Sequence, residues 1–161
     1  MREVSMATTT IAFTVPISLS RAFNYVSNFE RLPDWSGNIL SFKKNESTTS
    51  FQVKTKLWFF ACKFEYQILE SKYPSRLVLR IKSRFSDQTE TFSFYPDPKG
   101  SDTDTKILFT SQMELSGFSK IFRYWIFSKA FENTRKDIRR LQEILSHGKT
   151  LGIRNFQVIH D

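Results

Sequence analysis

Few of the side chains that ordinarily do chemistry are present in this chain, and they are not grouped. There is one cysteine, Cys62, and there are two histidines, His147 and His160. The histidines stand at the chain end and Cys62 lies in a strand-like stretch far from both, so no metal-ligand spacing emerges. The expected placements are surface histidines and a core cysteine. The five glycines are isolated, with no Gly-x-Ser-x-Gly elbow and no Gly-rich phosphate loop. Neither a metal nor another cofactor is called for. Catalytic carboxylates would have to stand on the apolar face of a strand. Asp34 precedes a strand, Glu65 is out of phase with Phe64 and Tyr66, and Glu114 is out of phase with Met113. Glu90 alone shares the parity of Phe92 and Phe94; near a strand end it reads as solvated, because a buried lone carboxylate is costly. The remaining polar candidates are the hydroxyls of Thr55, Tyr66, Ser111 and Thr134. One such group can orient a ligand carbonyl or hydroxyl, or simply bond to backbone or ordered water. None is a strong general base at neutral pH, so a binding site is offered more readily than a reactive one.

The elements that must position these groups follow from periodicity. Phe127, Phe131, Thr134, Ile138, Leu141 and Leu145 recur at spacings of three and four, which predicts a long helix over Phe118–Ser146. Ser116 or Ser119 can cap its start and Gly148 can end it. Upstream, 8–15 is rich in β-branched residues and reads as a strand stopped by Pro16. Ser18 then caps a short helix carrying Leu19, Ala22, Phe23 and Val26, and 28–32 can add a helical turn before Pro33. About six strands follow in close succession, over 39–44, 51–59, 62–68, 77–82, 90–95 and 105–116. Short turns between them imply an antiparallel meander with one covered face and one wet face. The terminal helix is the only cover the pattern offers. A curved sheet round it leaves a space, much of it lined by aromatics.

The whole-chain numbers set the class. At 161 residues the chain makes one domain with a real core. We expect a loose tail at 1–7, the domain over 8–147, and a second tail at 148–161, either disordered or with an extra strand at 155–159. The 17 phenylalanines suit both a small core and an apolar pocket wall. A single cysteine excludes an intrachain disulfide scaffold. No apolar run approaches the ~18 residues of a membrane-spanning helix, and no signal region precedes the first strand, so a cytoplasmic location is the expectation.

The net charge of +8 invites nucleic acid or an anionic membrane as a partner, but the basic residues are scattered along alternating strands. Nucleic-acid binding is disfavoured, because Arg135, Lys136, Arg139 and Arg140 have no interleaved aromatics. On the helix, Phe118, Phe122 and Trp125 point away from the stripe of Phe131, Ile138 and Leu145, toward the face of Lys129, Lys136, Arg139 and Arg140. Either the helix begins late or kinks there, or an aromatic tip is exposed. The exposed case would suit an anionic membrane, met through Phe118, Phe122, Trp125 and Lys129, or a dimer contact. Monomer and dimer both stay open.

This element order, with Val15-Pro16-Ile17-Ser18-Leu19-Ser20-Arg21-Ala22-Phe23-Asn24-Tyr25-Val26 and then Leu32-Pro33-Asp34-Trp35, resembles the START-like superfamily. Within it, the chain is most similar to the polyketide cyclase/dehydrase and lipid-transport (SRPBCC) group. The resemblance spans roughly residues 8–147; its strand-proline-helix motif is loose, and the Leu32–Trp35 stretch is more specific. It implies an α+β helix-grip fold, a curved antiparallel sheet of about seven strands wrapped round a long C-terminal helix. It further implies a deep cavity holding a lipid, a sterol, a polyketide or another hydrophobic molecule, with the protein as carrier or sensor. Trp35 at the entrance and Phe64, Tyr66, Phe94, Ser111, Met113 and Phe131 along the walls are the candidate ligand contacts. The alternative is a cyclase or dehydratase type of enzyme in the same cavity, with Tyr66 or Glu90 as its polar group.

Overall fold

The computed structural model describes residues 5–46, 49–57, 60–117 and 120–150. The chain runs β1 (Ser5–Val15), α1 (Leu19–Ser27), a 3-10 turn (Phe29–Arg31), α2 (Leu32–Trp35), β2 (Ile39–Lys44), β3 (Ser50–Leu57) and β4 (Phe60–Lys72). It continues with β5 (Arg76–Lys82), β6 (Ser86–Pro96), β7 (Thr105–Leu115) and α3 (Lys120–Thr150). The strands make one seven-stranded antiparallel sheet in the order β1-β7-β6-β5-β4-β3-β2. β2 to β7 form the expected meander, and β1 closes on β7, with Ile11 opposite Phe109 and Val15 opposite Thr105.

Alternation fixes which side of the sheet is buried. On β7, Thr105, Ile107, Phe109, Ser111, Met113 and Leu115 are buried, while Lys106, Gln112 and Glu114 face outward. Phe92 and Phe94 on β6, Leu77, Leu79 and Ile81 on β5, and Phe51 and Val53 on β3 continue that face. The Thr105 hydroxyl, fully buried, donates to the Ile17 carbonyl at 2.7 Å and pins the start of β7 to the link between β1 and α1.

The cover is more than the terminal helix. α1 buries Ala22, Phe23, Tyr25 and Val26, and it packs over β5 and β6 with Phe23 edge-on to Phe94, centroids 5.5 Å apart. Pro33 does not stop the local helix. It stands in the first turn of α2, where its missing N–H has no partner to lose, and Leu32 and Trp35 are buried. α3 is about 46 Å long at 1.5 Å per residue and runs on through Gly148 to Thr150. Its buried residues Ile138, Leu141 and Leu145 dock its second half, and it packs against β1 and α2.

One expectation needs correction and one open alternative is resolved. Residues 5–7, expected in a loose tail, belong to β1, where Ser5 pairs with Leu115. The first turns of α3 expose Ile121 (86%), Phe122, Tyr124 (77%) and Trp125, while Arg123 is turned inward at 4%. The aromatic tip is therefore exposed. Phe118 and the stretch 155–159 lie outside the described residues. Among the described residues, no helix is long and apolar enough to cross a membrane.

Candidate functional site

A cavity opens between the inner face of the sheet and the helical layer. The 3-10 turn, the ends of α1 and α2, and Ser36 contribute Val26, Phe29, Leu32, Trp35 and Ser36. The sheet contributes Tyr66, Leu79, Glu90, Phe92 and Phe109, and α3 contributes Thr134, Asp137 and Ile138. Its volume is about 50 Å³, room for a few waters. The cavity lies where the resemblance implies, and it is far smaller than a whole sterol needs. The rings that were to enclose a hollow partly fill it. Phe92 packs on Phe109 at 4.8 Å and edge-on to Trp35 at 6.3 Å, and Phe51 on Tyr66 at 5.1 Å.

Among apolar walls stand two carboxyls. Glu90 has the inward parity of Phe92, and burial with the nearby Asp137 charge pushes its carboxyl up from 4.5 to about 8. It is mostly protonated at pH 7. Its Oε1 accepts from Gln88 Nε2 at 2.8 Å, and the same amide nitrogen donates to Ser111 Oγ at 2.8 Å. Asp137 holds the end of α2: Ser36 Oγ donates to its Oδ2 at 3.0 Å and the Gly37 N–H to its Oδ1 at 3.2 Å. Burial raises Asp137, and those two donors and Arg140 pull it back. The Tyr66 hydroxyl is driven far above its ordinary range by burial, then by the Glu90 and Asp137 charges. Trp35 is 6% exposed, and its buried Nε1–H has no hydrogen-bond partner among the described residues.

Of the candidate contacts, Trp35 and Tyr66 line this cavity, together with Thr134. Trp35 is buried in its wall rather than at an entrance. The others face inward or are partly covered, but are not among the lining residues. Phe94 lies under Phe23, and Ser111 stands behind Glu90 as the last member of the Gln88 relay. Met113 is one rung farther along β7, opposite Gln88. Phe64 is opposite Val53, and Phe131 stacks on Phe127 at 6.2 Å. Thr55 is half-buried on β3.

Glu90 corrects the reading of a solvated acid, because protonation and the Gln88 bond lower the cost of burial. Asp137, Ser36 and Gln88 were missed. A signal existed for Asp137, which stands three residues after Thr134 and four before Leu141 on the inner stripe. Among the described residues, no group of three or more His, Cys, Asp or Glu side chains could hold a metal ion.

No family model matches this sequence, and no curated protein matches it. Solved structures do. An uncharacterised protein from Rhizobium leguminosarum is 16% identical with a TM-score of 0.69, covering 90% of this chain and 97% of its own. The Zhui aromatase/cyclase from Streptomyces sp. R1128 is 7% identical with a TM-score of 0.72, covering 89% and 95%. Ara h 8.0201 is 12% identical with a TM-score of 0.67, covering 88% and 98%. At these identities the likeness concerns architecture alone. The chain is an α+β protein with the helix-grip fold, a curved seven-stranded antiparallel sheet round a long C-terminal helix.

Proposed function

We propose that the protein is a cytoplasmic carrier or sensor that binds a hydrophobic small molecule, of lipid, sterol or polyketide type, between its sheet and α3. The observation that carries this reading is an aromatic-walled cavity between those two layers with an unpartnered polar group, the Trp35 indole N–H, in its lining. The volume of about 50 Å³ seats only the ligand's polar end. The body then requires the first half of α3, which is less deeply docked than Ile138–Leu145, to part from the sheet. Phe64, Met113 and Phe131 are the walls it would reach. Native mass spectrometry of the protein as purified tests this. A co-purified apolar mass supports it; an empty protein that takes up no fatty acid, sterol or aromatic polyketide sinks it.

The second reading is an enzyme of cyclase or dehydratase type. It is favoured by Glu90, held protonated beside Tyr66, since an acid with a raised pKa can donate a proton near neutrality. An aromatase/cyclase shares the fold. Loss of turnover of a bound polyketide in both E90Q and Y66F would decide for the enzyme.

For exchange of the ligand we propose an anionic membrane as the docking surface. Ile121, Phe122, Tyr124 and Trp125 form an exposed apolar tip, and Arg135, Lys136 and Arg139 continue the outer side of the same helix. Lys129 and Lys136 both pair with Glu132, at 3.3 and 2.9 Å. Co-sedimentation with anionic but not neutral liposomes is expected; equal failure with both ends the idea.

A further inference from the structure

The lining of the cavity includes a buried donor that the chain leaves unmet. Trp35, 6% exposed, brings an indole N–H that no described residue accepts. An indole nitrogen can donate and cannot accept. Glu90 brings a second donor. Its Oε1 is engaged as the acceptor of Gln88 Nε2 at 2.8 Å, so the proton of the neutral acid falls to Oε2. The Gln88 amide is fixed in turn by Ser111 Oγ at 2.8 Å, which holds the orientation. The Tyr66 hydroxyl, buried in the same lining, also keeps its proton. Asp137 accepts on both oxygens, from Ser36 and from the Gly37 N–H, and the Trp35 N–H does not bond to it.

A buried donor without a partner, beside a neutral acid, asks for an acceptor. An anionic acceptor is disfavoured, since a ligand carboxylate would sit beside Asp137 and Glu90. We propose, on the reading that this cavity binds a ligand's polar end, that this end is a neutral carbonyl oxygen, of a ketone, ester or amide, received by the Trp35 indole N–H and the Glu90 carboxyl. A site built to hydrogen-bond a substrate group discriminates strongly against the analogue that lacks it, because its buried donors are then left unmet.

The test uses the full chain, ¹⁵N-labelled, with three probes of similar ring size: cyclopentanone, cyclopentane and cyclopentylamine. The Trp35 Nε1–H resonance is assigned by its loss in W35F. Cyclopentanone is expected to move that resonance and to bind at least about tenfold more tightly than cyclopentane. The preference should shrink several-fold in W35F. It should survive in E90Q, whose amide can accept from Gln88 and donate from the same place, and shrink in E90L. Equal binding of cyclopentanone and cyclopentane overturns the carbonyl assignment and leaves a binding cavity standing. A preference for cyclopentylamine overturns it too, with the Glu90–Asp137 pair then acting as a cation site. If no probe binds, the carbonyl assignment falls, and the native mass spectrometry above decides separately whether the cavity binds a ligand. Should W35F not fold, the probe ranking in the wild type and in E90Q and E90L still decides.

Discussion

Replacing Glu90 with Gln should make the protein more stable at pH 8 and leave it nearly unchanged at pH 5. The folded protein holds the Glu90 proton up to about pH 8, while an unfolded chain releases it near 4.5. Between those values the folded state binds more protons than the unfolded one, so stability must fall as pH rises. At about 1.36 kcal/mol per pH unit the whole window has a ceiling of about 5 kcal/mol. Glu90 is only partly buried by accessible area, and water entering the cavity on ionisation absorbs part of that. About 3 kcal/mol is the figure we expect. Asp137, also raised by burial, adds a smaller slope of the same sign. Gln preserves the acceptor for Gln88 and carries no charge, so E90Q should lose most of the decline. Urea denaturation from pH 5 to pH 9 measures this directly. In thermal melts the gain at pH 8 should be about 6–12 °C for a chain of this size. A flat wild-type profile, or an E90Q profile falling in parallel with it, would refute the placement of Glu90 as a buried acid.

Removing the charge of its neighbour should act on Glu90 itself: in D137N its titration midpoint moves down toward the ordinary range, as read from the ¹³C carboxyl shift. The Thr105–Ile17 bond is buried at both ends, so T105V strands a carbonyl and should cost about 1–3 kcal/mol by urea denaturation; no loss would mean water replaces the hydroxyl. By contrast, I121S should change stability by no more than about 0.5 kcal/mol, because Ile121 is 86% exposed. The same substitution should weaken co-sedimentation with anionic liposomes if the tip of α3 enters the bilayer surface.

Most of the fold was legible because it rests on periodicity. Strict alternation along β3 and β7 and the stripe through Ile138, Leu141 and Leu145 are local signals, and both point to burial against a partner layer. Depth along a strand is not local. Phe94, Ser111 and Met113 have the right parity, yet which inward residue meets the cavity depends on where α1 and α2 end overhead. The acid pair was hidden for a related reason. Asp137 lies on the inner stripe, but its partners Ser36 and Gly37 are 100 residues or so away in sequence, and the Glu90 proton depends on that juxtaposition. The tip of α3 defied the simplest rule, that apolar residues go inside, and it is the kind of place where function and packing part company.

The register of Ser5–Val15 against Thr105–Leu115 has a consequence for biogenesis. Of the seven strands, the first in chain order sits at one end of the sheet, beside the last of them. At roughly 5–20 residues per second, its neighbour arrives several to about twenty seconds later. Meanwhile β2 to β6 can zip up pairwise, and α1 gains its floor once β5 and β6 are made. During that interval the nascent N-terminal segment is an unpaired template, and shielding it from other chains is the step at which a folding assistant would matter most for yield.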